Sequence, residues 1–160
     1  MRALLVLALL ALAPSGVAAQ TPEIERIDVL EAGLSELVMG KDPAGKPVLK
    51  SARVVEATTT IAAELGAAFG FRYVVVGKPA GATVALRMVT RYPRQGMRDA
   101  NTGRTAYANE ETVSANLGEA KVGGYRIDEL WEIVPGVWVF ELWNRDRKLA
   151  EQRFTLVRRP

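Results

Sequence analysis

Between Phe69 and Val76 the chain alternates with a period of two. Phe69, Phe71, Tyr73 and Val75 interleave with Gly70, Arg72, Val74 and Val76. An apolar position at every second residue is the mark of a half-buried β-strand, here with one aromatic face. Thr83 to Tyr92 reads the same way: Val84, Leu86 and Met88 point to a core, and Arg87 and Arg91 share the opposite face with Ala85 and Val89. The pattern is clearest near the C-terminus. Val137 to Trp143 places Trp138, Phe140 and Leu142 on one face and Glu141 on the other; Asn144 to Arg147 makes a turn, and Leu149 to Val157 returns with Phe154 and Leu156 as anchors. A glutamate in mid-strand must face solvent or find a partner, so the outer face of that sheet is expected to be wet.

The rest of the pattern is weaker. Ile27, Val29 and Leu30 within Ile24–Val38 suit a first strand, and the prolines and glycines of Gly40–Pro47 a turn. Val48–Thr60 is extended and rich in β-branched residues. Thr60 is placed to cap one helical turn over Ile61–Leu65, which Gly66 and Gly70 keep short. Gly77–Gly81 is a turn, and Pro93–Asn109 a long polar connection. Thr112–Leu117 and Tyr125–Trp131 are short strand candidates, and Pro135-Gly136 sets up the last hairpin. Short strands separated by turn signals predict an all-β or mostly β domain. The expected form is an immunoglobulin-like two-sheet sandwich of about seven strands. The pattern alone also allows a small β-barrel.

The first residues read differently. Met1-Arg2 is a short positive region, Ala3–Ala13 is unbroken apolar sequence, and Val17-Ala18-Ala19 offers the small residues that a signal peptidase reads. The apolar run is about half the ~20 residues a membrane-spanning helix needs. The expectation is a secretory signal peptide over residues 1–19, a single domain over 20–160 with no transmembrane helix, and a periplasmic or secreted location. There is no cysteine, so neither a lipid anchor at a lipobox nor a disulfide is available, and the core must stabilise the domain. There is no histidine either. Triads built on histidine or cysteine and zinc sites built on them are thereby excluded within this chain. No catalytic residue, metal site or cofactor is assigned. The formal net charge of +3 is too mild to argue for nucleic acid.

Five motifs invite chemistry. Gly40–Pro47 approaches a phosphate-binding loop, but Pro47 stands where the loop needs Ser or Thr after the lysine. Asp99 to Glu110 has the length of a calcium loop, but Arg104 occupies the position that needs glycine. Asp128, Glu129 and Glu132 beside Trp131 could suggest a carboxylate-dependent hydrolase; on a strand, however, Asp128 and Glu129 point to opposite faces. Arg87, Arg91 and Arg94, followed by Arg98 and Arg104, form a basic block that could bind an anionic envelope polymer or meet the acidic block of residues 110–132. Trp131 and Trp143 are candidates for exposed aromatics that stack on a ligand, whereas alternation puts Trp138 in the core.

Four segments carry a resemblance. They are Gly66-x-x-Phe69-Gly70-Phe71-Arg72-Tyr73, Tyr92-Pro93-x-x-Gly96, Trp131-Glu132-Ile133-Val134-Pro135-Gly136-Val137-Trp138 and Lys148-Leu149-Ala150-Glu151-Gln152-x-Phe154. Over Thr58–Val157 the chain resembles a family of small exported bacterial proteins catalogued as a domain of unknown function. The resemblance implies a β domain of the cell envelope and carries over no site residues. The expectation is a non-enzymatic binding or accessory domain whose partner is a protein or an envelope component. Its candidate contacts are Arg87, Arg91, Arg94, Trp131 and Trp143. The alternatives are a hydrolase acting through carboxylates on an envelope polymer and a structural envelope protein without a ligand.

Overall fold

The computed structural model describes residues 21–158 apart from Asp42 and Lys46. The signal-peptide reading therefore lies outside the described residues, as does part of the Gly40–Pro47 loop. The described chain forms eleven strands and one 3-10 turn. They are β1 (Glu23–Lys41), β2 (Pro47–Ala57), β3 (Thr60–Ala62), β4 (Ala68–Lys78), β5 (Thr83–Arg91), β6 (Met97–Arg98), β7 (Thr105–Ala106), β8 (Ala108–Asn116), β9 (Ala120–Arg126), the 3-10 turn Leu130–Glu132, β10 (Gly136–Asn144) and β11 (Arg147–Val157). One sheet runs β2-β1-β4-β9 and a second β3-β11-β10-β5-β8; β6 and β7 pair as a small separate hairpin. The two large sheets are not closed into one another, which excludes the barrel alternative.

The alternation read from the sequence is what joins the sheets. Phe69, Phe71, Tyr73 and Val75 of β4 face Leu86 and Met88 of β5, Trp138, Phe140 and Leu142 of β10, and Phe154 and Leu156 of β11, all buried in one cluster. Phe69 is its hub: its ring lies 5.3 Å from Phe154, 5.6 Å from Trp138 and 5.9 Å from Phe140, each edge-on or nearly so. Edge-to-face pairs add about 0.5–1.5 kcal/mol each beyond the area they bury. Burial raises the phenol of Tyr73 to about 12, with Glu111 adding to the rise.

Strand β1 has two partners in succession. Glu23–Leu34 pairs with β4, and Gly33–Lys41 pairs with β2. The change of partner falls on a row of glycines, because Gly33 lies opposite Gly70 and Gly70 opposite Gly124. A Cβ on Gly33 would collide with the Glu56 carbonyl oxygen, one on Gly70 with that of Gly123, and one on Gly124 with that of Phe69. The row lets the backbones crowd together where β1 changes partner, which a side chain would prevent.

Several expectations change. Ile61 to Leu65 is not a helical turn: Thr60–Ala62 forms β3, paired in parallel with β11, and Ile61 is buried in the core. Tertiary pairing overrides a local preference that a single turn is too short to hold. The Tyr125–Trp131 strand divides, with Tyr125 ending up in β9 and Trp131 in the 3-10 turn. The Pro93–Asn109 connection is not irregular throughout, since it contains the β6–β7 hairpin and the start of β8.

Candidate functional site

The sequence candidates divide between two surfaces. The first is the outer face of the five-stranded sheet, where β10 lies between β5 and β11. Register sets Glu141 opposite Val89 and Glu151, and Trp143 opposite Arg87 and Lys148. This face is only partly wet, because Val89 and Glu141 are buried. The Glu141 carboxylate accepts hydrogen bonds from Arg91 Nε at 3.1 Å and Trp143 Nε1 at 3.0 Å, with Lys148 Nζ at 3.5 Å. Burial by itself would raise the acid, but the hydrogen bonds from Arg91 and Trp143 and the charges of Arg91 and Lys148 outweigh it and hold Glu141 below its ordinary value.

Arg87 pairs with Glu110 at 3.2 Å and lies over the Trp143 ring at 5.2 Å, while Lys148 approaches the same ring at 5.9 Å. Arg87, Arg91 and Trp143 thus lie together on one sheet face, and each interacts with neighbours within the sheet. The expected exposed platform at Trp143 is instead an indole flanked by cations from both adjacent strands. Arg87 meets the acidic block through Glu110.

The second surface is one end of the sandwich, where Arg94 and Trp131 lie. It is built on the aromatic core. Trp138 packs against Tyr92 at 5.0 Å and Tyr125 at 4.9 Å, and its Nε1 donates to the Val134 carbonyl at 2.9 Å. Tyr125 donates its hydroxyl to Glu132 Oε1 at 2.6 Å; Glu132 Oε2 accepts the backbone N–H groups of Asp128 at 2.7 Å and Glu129 at 3.0 Å. Burial, and then the hydrogen bond to Glu132, push the Tyr125 phenol far above its usual range. Both oxygens of Glu132 are therefore committed to holding the 3-10 turn. Asp128 pairs with Arg126 at 3.0 Å. The three acids suggested for hydrolysis do not converge as a free pair.

On this scaffold the turn presents Leu130, 75% exposed, and sets Trp131 against the β6–β7 hairpin. Tyr107, 64% exposed, flanks Gly96: a Cβ there would meet the Tyr107 ring and the Thr105 methyl, and its φ of +74° suits glycine. Gln95 fixes the loop by donating to the Pro135 carbonyl at 2.6 Å. A cavity of about 350 Å³ opens between Trp131, Met97, Ala106, Thr102 and Arg104. The indole N–H of Trp131 is covered and has no acceptor among the described residues. Asp99 does not act as a calcium ligand would: its carboxylate accepts the backbone N–H groups of Asn101 at 2.7 Å and Thr102 at 3.3 Å, which hold it below its ordinary value.

Sequence reasoning missed Tyr107, Leu130 and Met97. Tyr107 lay within the long polar connection and Leu130 within the Tyr125–Trp131 strand candidate, and neither position marked its side chain as exposed. Among the described residues no cluster of His, Cys, Asp and Glu could hold a metal ion, and no helix is long and apolar enough to cross a membrane.

Two largely antiparallel sheets packed on one aromatic core define an immunoglobulin-like β-sandwich, and comparison with solved structures agrees. Over 89% of its length the chain is similar to the whole of an immunoglobulin-like protein from Pseudomonas aeruginosa, with 26% identical residues and a TM-score of 0.61. The chain belongs to the domain of unknown function family DUF3859, whose model matches residues 26–156. No curated protein matches it.

Proposed function

We propose that this protein is an exported, non-enzymatic binding or accessory domain of the bacterial cell envelope, and that it works through the end of the sandwich at the β6–β7 hairpin and the 3-10 turn. The observation that carries this reading is the contrast between the two surfaces. On the outer sheet face, cations and acids satisfy one another. At the sandwich end, Leu130 and Tyr107 are exposed on a scaffold locked by Glu132, Tyr125 and Trp138. Large apolar groups held rigidly in solvent are the anatomy of a docking surface. In β-sandwiches, function gathers on the loops that the sheets position.

The test is site-specific photo-crosslinking in the bacterium. A photoreactive amino acid at position 107 or 130 is expected to give discrete adducts in the periplasmic fraction. The same group at Val55, which is exposed on β2, is expected to give none. A protein retained in the cytoplasm would refute the envelope assignment. Absence of adducts at 107 and 130 would favour a structural role without a partner.

A further inference from the structure

Sheets that are not closed have edges, here β2 and β9 in one sheet and β3 and β8 in the other. The pairing of β2 with β1 shifts register after Leu34 and again after Val38. β3 is three residues long, and Thr58 Oγ1 covers its rim by accepting the Thr60 N–H at 3.1 Å and donating to the Thr60 carbonyl at 3.2 Å. β9 carries Gly123 and Gly124 side by side, which weakens a strand. β8 has none of these interruptions: its nine residues contain no proline and no glycine, and they pair with β5 without a register shift. The bonds that flank this ladder run from the Leu117 N–H to the Ala82 carbonyl and from the Tyr92 N–H to the Tyr107 carbonyl, and they fix its phase. Hydrogen-bonded pairs recur at every second residue, so Asn109, Glu111, Val113 and Ala115 bond to β5. Glu110, Thr112 and Ser114, all exposed, aim their N–H and C=O groups away from the sheet, and no other strand among the described residues pairs with them.

We infer that this edge pairs with the same edge of a second copy of the chain, antiparallel about Thr112. A row of unpaired N–H and C=O groups is a template for another strand. What points to a second copy is how β8 reads against itself. A two-fold axis through Thr112 sets Glu110 opposite the partner's Ser114, Thr112 opposite the partner's Thr112, and Ser114 opposite the partner's Glu110. All of these are outward-facing residues, so each opposed pair exchanges both of its backbone bonds. Their side chains share the outer face of the sheet with Arg87 and Val89. There a hydroxyl meets a hydroxyl, and each Ser114 lies beside a carboxylate acceptor, which are stabilising cross-strand contacts. No acid stands directly opposite an acid, and the Glu110 charge is already matched by Arg87 at 3.2 Å. The opposing effect comes from Glu111, which falls opposite the partner's Val113 and lies about 7–8 Å diagonally from the partner's Glu111. A foreign strand would draw selectivity from pockets for its alternate side chains. Beside β8 the outer face offers instead Arg87 and Glu110 bound to one another. The contact is isologous and closes at two copies, joining the two five-stranded sheets into one. It is independent of the binding role proposed above, whose surface is the end of the sandwich.

Sedimentation equilibrium of the purified protein, in a series from micromolar to millimolar concentration, tests this. A single monomer–dimer equilibrium is expected. Thr112→Pro removes an N–H that faces outward and none that bonds to β5, which an edge strand tolerates. It is expected to weaken association at least about tenfold. Thr112→Lys changes an exposed side chain without touching the backbone and sets two like charges directly opposite one another; it is expected to weaken association as well. Glu111→Gln removes the diagonal repulsion and is expected to tighten association about twofold or more. A chain that stays monomeric throughout the series overturns the inference. So does a dimer whose affinity is unchanged in both Thr112 variants, because its contact then lies on another surface.

Discussion

Replacing Glu132 by alanine removes one carboxylate and three hydrogen bonds. The Tyr125 hydroxyl loses its acceptor at 2.6 Å, and the N–H groups of Asp128 and Glu129 lose theirs at 2.7 and 3.0 Å. Hydrogen bonds to a charged group are worth about 1.5–3 kcal/mol each when well buried. Here the turn is at the surface and water can replace part of what the two backbone donors lose. Each of those two bonds therefore contributes about 1 kcal/mol or less, and the half-buried phenol about 1–1.5 kcal/mol. The expected loss is about 3 kcal/mol, or about 10 °C in Tm for a domain of this size. Urea unfolding followed by tryptophan fluorescence measures it, since Trp138 sits against Tyr125. A double-mutant cycle with Tyr125→Phe isolates the Tyr125–Glu132 pair, with an expected coupling of about 1 kcal/mol. A loss below about 0.5 kcal/mol for Glu132→Ala, or a coupling near zero, would refute the view that this carboxylate locks the site's scaffold.

Three further predictions follow from the fold. Glu141 is held below its ordinary value, so the stability it contributes is present above the unfolded carboxylate value near pH 4.3 and is lost as pH falls through the lower folded value. Glu141→Gln is therefore expected to be less stable than the wild type at neutral pH by about 1–2 kcal/mol, discounted because Arg91 and Lys148 are partly exposed, and the gap should close in acid urea titrations. Gly70→Val would drive a side chain into the Gly123 carbonyl, and a loss of about 3 kcal/mol or more is expected in thermal melts; an unchanged melt would show that the glycine row is not crowded. Phe69→Ala removes the hub of the aromatic core and is expected to cost about 3–5 kcal/mol in urea unfolding, whereas Val137→Ala, on the exposed face of β10, should cost about 0.5 kcal/mol or less.

Much of the β architecture was legible because a half-buried strand writes its core face into every second residue. Phe69, Phe71, Tyr73 and Val75 are buried as the alternation requires, and so are Trp138, Phe140, Leu142, Phe154 and Leu156. The segments read wrongly lacked that period. Thr60–Ala62 is too short to show one, and it is a strand because β11 offers it a partner about 95 residues later in the chain. Tyr125 and Trp131 lie six residues apart in one mixed segment, and Glu132 turns back to accept Tyr125 and two backbone N–H groups, which ends the strand between them.

The candidate site was legible in residue type but not in grouping. The sequence by itself determined the inward faces of the strands, and the absence of cysteine and histidine removed disulfides and the chemistry that depends on those side chains. It presented Arg87, Arg91 and Arg94 as one basic block. Only the tertiary structure divided them, because register sets Arg87 near Glu110 and Arg91 near Glu141, residues 23 and 50 positions away, while the loop after β5 carries Arg94 away from that sheet face. Whether a charge is spent or available depends on which residue lies opposite it across the sheet. That neighbour is fixed by long-range pairing, which local periodicity does not encode.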